Sequence, residues 1–138
     1  MKEKNKKTSK TKQVITYPAA VVAPVGVFLK EQLSHLKHRR REVSQDDPFK
    51  NTARATDNAA PDADAEEQFG HARSTAIKGE LDRKIIQTRR ALSRIKLGKY
   101  GICESCGKMI DTDRLIIYPE ATKCVSCEAK KEKKNPEL

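Results

Sequence analysis

Residues 103–127 read CESCGKMIDTDRLIIYPEATKCVSC. The stretch opens and closes with Cys-x-x-Cys pairs, Cys103-Glu-Ser-Cys106 and Cys124-Val-Ser-Cys127, with 17 residues between them. That is the spacing of a four-cysteine zinc site. Zinc takes a tetrahedron of thiolates at about 2.3 Å, and two such turns complete the shell with no position left for water. Cys103, Cys106, Cys124 and Cys127 are therefore the expected ligands of one structural Zn²⁺. Gly107 directly follows Cys106 and suits the left-handed residue that closes such a turn. Other uses of the cysteines fit less well. A disulfide framework has no secretory context here, a thioredoxin-like pair needs a βαβ setting, and a catalytic zinc keeps an open position. Between the pairs, Leu115-Ile116-Ile117-Tyr118 predicts a short strand or hairpin. Cys124 to Lys134 predicts a short terminal helix that carries the second pair.

Upstream, the hydrophobic pattern is helical. From about Asp62 to Leu97, the residues Leu81, Ile85, Thr88, Leu92 and Ile95 alternate spacings of four and three, a heptad seam. Pro61 or Asp62 opens this helix, acidic residues occupy its first turn, and Gly98 and Gly101 end it. Val25 to Ser44 predicts a first helix, with Leu29, Leu33, Leu36 and Val43 on one face and the long stem of Arg40 in the remaining seam position. Asp46-Asp47-Pro48 stops it. Two seamed helices joined by an acidic loop predict an antiparallel helical hairpin whose shorter arm is about 30 Å long.

Charge divides along this hairpin. Residues 45–68 hold Asp46, Asp47, Asp57, Asp62, Asp64, Glu66 and Glu67 against Lys50 and Arg54. Arg83 to Lys99 holds seven basic residues, Arg89, Arg90 and Arg94 among them, and no acidic one. The hairpin is thus acidic at its turn and basic at its base. His35, His38 and His71 read as surface histidines.

The N-terminus is basic, with six Lys against Glu3 over Met1 to Lys12, followed by an apolar stretch from Val14 through Leu29. That order imitates a secretory signal, and Val21-Val22-Ala23 resembles a cleavage site, but Pro18 and Pro24 interrupt the stretch and Lys30 ends it. It is too short to span a bilayer, which needs about 20 apolar residues. A disordered basic tail and an irregular apolar segment over 1–24 are expected instead, because prolines break a continuous helix. The predicted organisation is that segment, a helical hairpin over 25–97 with its acidic loop at 45–61, a Cys₄ finger over 98–134, and a tail at 135–138. The fold class is mainly α.

Composition narrows the function. The chain has 138 residues, a net charge of +10 and 4% aromatic residues. Its length excludes a large scaffold such as an α/β barrel, and four Cys is far below the density of a disulfide-built secreted domain. No phosphate-cradling glycine loop and no nucleophile–base pair stand out, so an enzyme is not expected. Reduced, metal-bound cysteines fit a cytoplasmic location without membrane attachment.

The pieces Gly98-Lys-Tyr-Gly-Ile-Cys-Glu-Ser-Cys-Gly107, Asp113-Arg-Leu115 and Pro119-Glu-Ala-Thr-Lys-Cys-Val-Ser-Cys127 resemble the TraR/DksA C4-type zinc finger family. The likeness is close over Gly98 to Lys130 and looser over the preceding hairpin. It implies a regulator of transcription that binds bacterial RNA polymerase directly and reads no DNA sequence. In DksA-type relatives the hairpin enters the secondary channel, its acidic tip approaches the catalytic centre, and the zinc module grips the channel rim. By that resemblance Asp62 and Asp64 are the tip residues, with Asp57, Asp46 and Asp47 as lesser candidates. The aspartates of Pro61-Asp-Ala-Asp-Ala65 stand two apart, where DksA-type tips carry D-x-x-D-x-A. Arg89, Arg90 and Arg94 are expected to meet the partner at the base. Two alternatives remain: a basic nucleic-acid-binding protein that uses the lysine tail and the basic helix, and a zinc-clamped adaptor for another protein. A monomer is expected in each case.

Overall fold

The structure, a computed structural model, describes residues 16–50 and 61–135. The lysine-rich tail, whose disorder was expected, Asp57 and most of the acidic loop lie outside the described residues. The rest is built from four helices: α1 (Ala19–Gln45), α2 (Pro61–Lys96), α3 (Thr112–Ile117) and α4 (Val125–Lys134), with a 3₁₀ turn at Pro48–Lys50 after α1. No strand occurs among the described residues, only an isolated antiparallel bridge between Ile102 and Met109.

α1 begins six residues earlier than its sequence predicts, and Pro24 lies inside it. The expectation of an irregular segment through residue 24 is therefore corrected. Pro18 precedes the first turn, and its carbonyl accepts from the N–H groups of Val21 and Val22 at 3.0 and 3.2 Å. Pro24 leaves the Ala20 carbonyl without a helical donor, but both residues are exposed and water can reach that oxygen. An interior proline costs about 3 kcal/mol. Burying Val22 and Leu29 recovers about 1.5–3 kcal/mol each, which together matches or exceeds it.

α2 starts at Pro61, whose missing N–H costs nothing at the first helical position. It ends in a Schellman motif. Gly98 sits at φ 69°, its N–H reaches the Ile95 carbonyl at 3.1 Å, and the Lys99 N–H reaches the Arg94 carbonyl at 2.9 Å. The helices run antiparallel: Gly26 faces Ile95 near the base, and Arg40 pairs with Asp82 midway along. Leu29, Leu81, Ile85, Thr88 and Ala91 are buried between them, with Leu33, Leu36, Val43, Leu92 and Ile95 half-buried. Thr88 satisfies its buried hydroxyl by donating to the Lys84 carbonyl at 2.8 Å. Arg40 occupies the seam position assigned to it and meets the Asp82 carboxylate through Nε and, at 3.3 Å, Nη2.

At 27 residues α1 is about 40 Å long and α2, at 36, about 54 Å. The shorter arm therefore exceeds its predicted length. α3 replaces the strand expected at Leu115–Tyr118. Asp111 caps it by accepting from the Asp113 N–H at 3.3 Å, and only Leu115 of the apolar run is buried. Ile116 and Ile117 lie on its outer side.

The core at the base is shared between the hairpin and the cysteine module. Val22 from α1 joins Tyr100, Cys103, Ile110, Leu115 and Ala121, with Tyr17, Val25 and Ile95 packed against them. Tyr100 donates its buried hydroxyl to the Pro119 carbonyl at 2.8 Å, and burial pushes its pKa up to about 12. Gly101 is doubly constrained: its φ is 80°, and the Tyr17 ring occupies the space a Cβ would take.

Candidate metal centre and hairpin tip

The first cysteine pair lies in a turn beyond the end of α2. The Cys103 N–H donates to the Lys108 carbonyl at 2.8 Å and the Gly107 N–H to the Cys103 carbonyl at 3.0 Å, with Gly107 at φ 68°. The second pair straddles the start of α4, with Cys124 as its N-cap and Cys127 in its first turn, as predicted. The Glu104 N–H bonds to the Thr122 carbonyl at 3.0 Å and ties the two turns together.

All four cysteines are free thiols, and their sulfurs lie within 4.8 Å of one another. Cys106 and Cys124 Sγ are 3.8 Å apart. Four sulfurs each about 2.3 Å from a central ion stand about 3.8 Å from one another, so the spacing fits zinc. Cys103 is buried, which opposes ionisation, yet the N–H groups of Cys124, Cys106 and Ser105 bring its pKa down to about 6. Cys127 moves the other way, to about 12, through its hydrogen bond with Cys124, its burial and the neighbouring Cys103. One thiolate at this distance opposes the next, and a divalent cation removes that opposition. A closed four-sulfur shell leaves no position for substrate, so the ion is structural. The site is that of one structural Zn²⁺.

Arg94 is committed inside the chain. Its Nη2 donates to the Ile102 carbonyl at 2.6 Å and its Nη1 lies 3.9 Å from Glu104, which fastens the end of α2 to the first cysteine turn. Arg89 and Arg90 are exposed on α2. Next to them a groove of about 810 Å³ runs between α2 and the cysteine module, lined by the basic Arg83, Lys84, Arg90, Arg114, Lys123 and Lys131 and the acidic Glu80, Glu120, Glu128 and Glu132. The base thus carries both signs with an excess of basic groups, where Arg83 to Lys99 alone reads as purely basic.

At the other end of α2, Asp62 and Asp64 lie exposed in the first turn, with Glu66 exposed in the next. Asp46 is exposed at the end of α1. Asp47 is not part of this open acidic surface. It is 5% exposed and accepts from the Phe49 N–H at 3.1 Å, His71 Nδ1 at 2.9 Å and Lys78 Nζ at 3.2 Å. The bond from His71 outweighs the cost of burial and, with Phe49 and Lys78, lowers the carboxyl pKa to about 2. His71 keeps 40% of its side-chain surface exposed, and its ring stacks on Phe49 with centroids 4.3 Å apart. Sequence reasoning missed this cluster. Its one local signal is the Asp47-Pro-Phe49 turn, in which the Asp side chain caps the N–H two residues on.

An antiparallel helical hairpin clasped at its base by a four-cysteine zinc module defines the class. Residues 98–133 match the prokaryotic dksA/traR C4-type zinc finger, and this module is a finger of that family. No curated protein matches the chain by sequence. Among solved structures, the chain is similar to the transcription factor DksA2 from Pseudomonas aeruginosa, with 20% identity over 86% of this chain and 88% of that one and a TM-score of 0.65. It is also similar to the RNA polymerase binding protein and transcriptional regulator Dks from Chlamydia trachomatis L2, with 20% identity over 88% and 99% of the two chains and a TM-score of 0.56. The hairpin-plus-finger fold is thus shared along nearly the full length of both. No helix among the described residues is long and apolar enough to cross a membrane.

Proposed function

We propose that the protein is a DksA-like regulator that binds bacterial RNA polymerase in the cytoplasm, with the zinc finger and the base of α2 gripping the enzyme and the acidic tip entering its secondary channel. The observation that carries this reading is the placing of Asp62 and Asp64. They stand exposed at the start of a 36-residue helix whose other end is fastened to a dksA/traR finger. The two similar structures, one a transcription factor and the other a polymerase-binding regulator, support it through fold. The finger supplies rigidity, Arg89 and Arg90 supply charge for an acidic rim, and the tip brings carboxylates to a metal-dependent catalytic centre. The protein performs no chemistry of its own in this scheme; the polymerase does.

The test uses the zinc-loaded chain with purified core polymerase. Wild type should be retained in a pull-down and change multi-round transcription. A chain carrying Asp62→Asn and Asp64→Asn should still be retained but lose most of that change. A wild-type chain that neither binds nor alters transcription overturns the reading. The exposed arginines also favour a second reading, direct binding to nucleic acid. Such binding rests on phosphate charge and weakens steeply with salt, so duplex-DNA affinity that persists at physiological salt would favour it. Four carboxylates stand among the six basic side chains of the groove beside α2 and weaken, without reversing, its attraction for phosphate.

A further inference from the structure

The distal part of the hairpin is asymmetric. α1 ends at Gln45, and with Arg40 opposite Asp82 about the first four turns of α2 run on beyond it. A short helix without a tertiary partner is marginal in water, so something must hold this projecting end.

The structure assigns that task to a latch formed by Asp47, His71 and Lys78. The chain after α1 turns back on α2 through Pro48–Lys50, and the Asp47 carboxylate is driven between the two elements. His71 and Lys78 are seven residues apart, so they share one face of α2 and a single carboxylate bridges two helical turns. A carboxylate only accepts hydrogen bonds, so His71 Nδ1 carries the proton in this contact. Pro48 seats against Gly70, where an added Cβ would come within 3.0 Å of the ring, and Phe49 covers His71. Charge pairing, ring stacking and a glycine seat therefore converge on the same two turns, next to the acidic start of α2.

The latch fixes the direction and order of the α2 start and so presents Asp62 and Asp64 as a preformed surface. Its members are positioning residues: none need touch the partner. Preformation matters because order already present in the free chain is not lost again on docking. The consequence for transcription rests on the polymerase reading above; the mechanical role does not.

The experiment compares the full zinc-loaded chain with Asp47→Asn, which keeps the shape and an acceptor for Phe49 but cannot pair with a cation. Asp47→Glu restores the charge. In hydrogen exchange, Asp47→Asn should speed exchange over residues 61–72 by roughly tenfold or more, the scale of a lost buried hydrogen bond to a charged group. Exchange over 98–133 and zinc content should stay unchanged, and Asp47→Glu should recover part of the protection. With polymerase, Asp47→Asn should be retained in the pull-down but need a correspondingly higher concentration to change transcription. Unchanged exchange at 61–72 overturns the latch. Raised exchange with an unchanged transcriptional effect overturns its positioning role. If wild type itself fails to bind polymerase, only the functional reading falls, and the exchange comparison still decides the latch.

Discussion

Leu29→Ala tests whether the N-terminal part of α1 belongs to the folded core. Leu29 is 0% exposed. Removing its outer carbons forfeits about 0.8 kcal/mol per methylene equivalent, and the void left behind adds a cavity term, for a total of about 3–4 kcal/mol. Against a typical stability of about 5–15 kcal/mol this is a large fraction. With a urea slope of about 2 kcal/mol/M, the midpoint should fall by about 1.5–2 M at unchanged slope. The assay is urea unfolding followed by helical circular dichroism, with zinc in excess so that the metal site stays closed. Leu97→Ala is the control. Leu97 is 68% exposed, so its loss should stay within about 0.5 kcal/mol. If Leu29→Ala shifts the midpoint no more than Leu97→Ala, the apolar stretch is not packed in a helix on α2, and the account of why Pro24 is tolerated fails with it.

Pro24→Ala should raise stability by about 1–3 kcal/mol, since it restores a helical N–H at an exposed site and gives up only some stiffness of the unfolded chain; an unchanged or lower urea midpoint contradicts the helical assignment there. Native mass spectrometry should find one zinc ion per chain, and Cys103→Ser should lose it together with the helical signal of the base. Gly101→Ala should destabilise the base severely, because it forces a left-handed φ on a residue with a Cβ and pushes that Cβ into Tyr17; a wild-type midpoint would contradict the packing. The Asp47 carboxyl sits at about 2, below its ordinary 3.8. Its contribution is therefore complete above about pH 4 and fades as pH falls toward 2, so the gap in urea midpoint between wild type and Asp47→Asn should narrow over that window. A gap that is constant with pH would mean that the carboxylate charge is not what holds the turn.

What could be read from sequence was what local chemistry determines. The metal site is set by spacing and thiolate chemistry within 25 residues. The limits of α2 are punctuated by Pro61 and Gly98, whose backbone preferences act on their immediate neighbours. What escaped depends on distant partners. Pro24 breaks a helix by local rule, but Val22 and Tyr17 find Tyr100 and Gly101 some eighty positions away, and that burial prevails. An apolar run as short as Leu115–Tyr118 has no period that separates strand from helix; the cap at Asp111 was the available clue. Asp47 reads as one acidic residue among several until the fold brings His71 and Lys78 to it across 24 and 31 positions.

The two ends of the hairpin are closed by different chemistry, and this bears on how the molecule fails. At the base, metal binding can contribute about 10 kcal/mol or more of folding free energy in small zinc modules, and the core it closes includes Val22 of α1 and Ile95 of α2. Zinc loss should therefore loosen both arms near the finger rather than detach a separate knob. At the tip a buried carboxylate holds the His71 ring and the Lys78 ammonium, with about 40 Å of α1 between the two closures. Sites so far apart with no shared partners act additively. A Cys103→Ser, Asp47→Asn double variant should accordingly show the sum of the single effects: a loosened base and, independently, a freer start of α2. A non-additive result would mean that the stem transmits strain from the metal site to the acidic end.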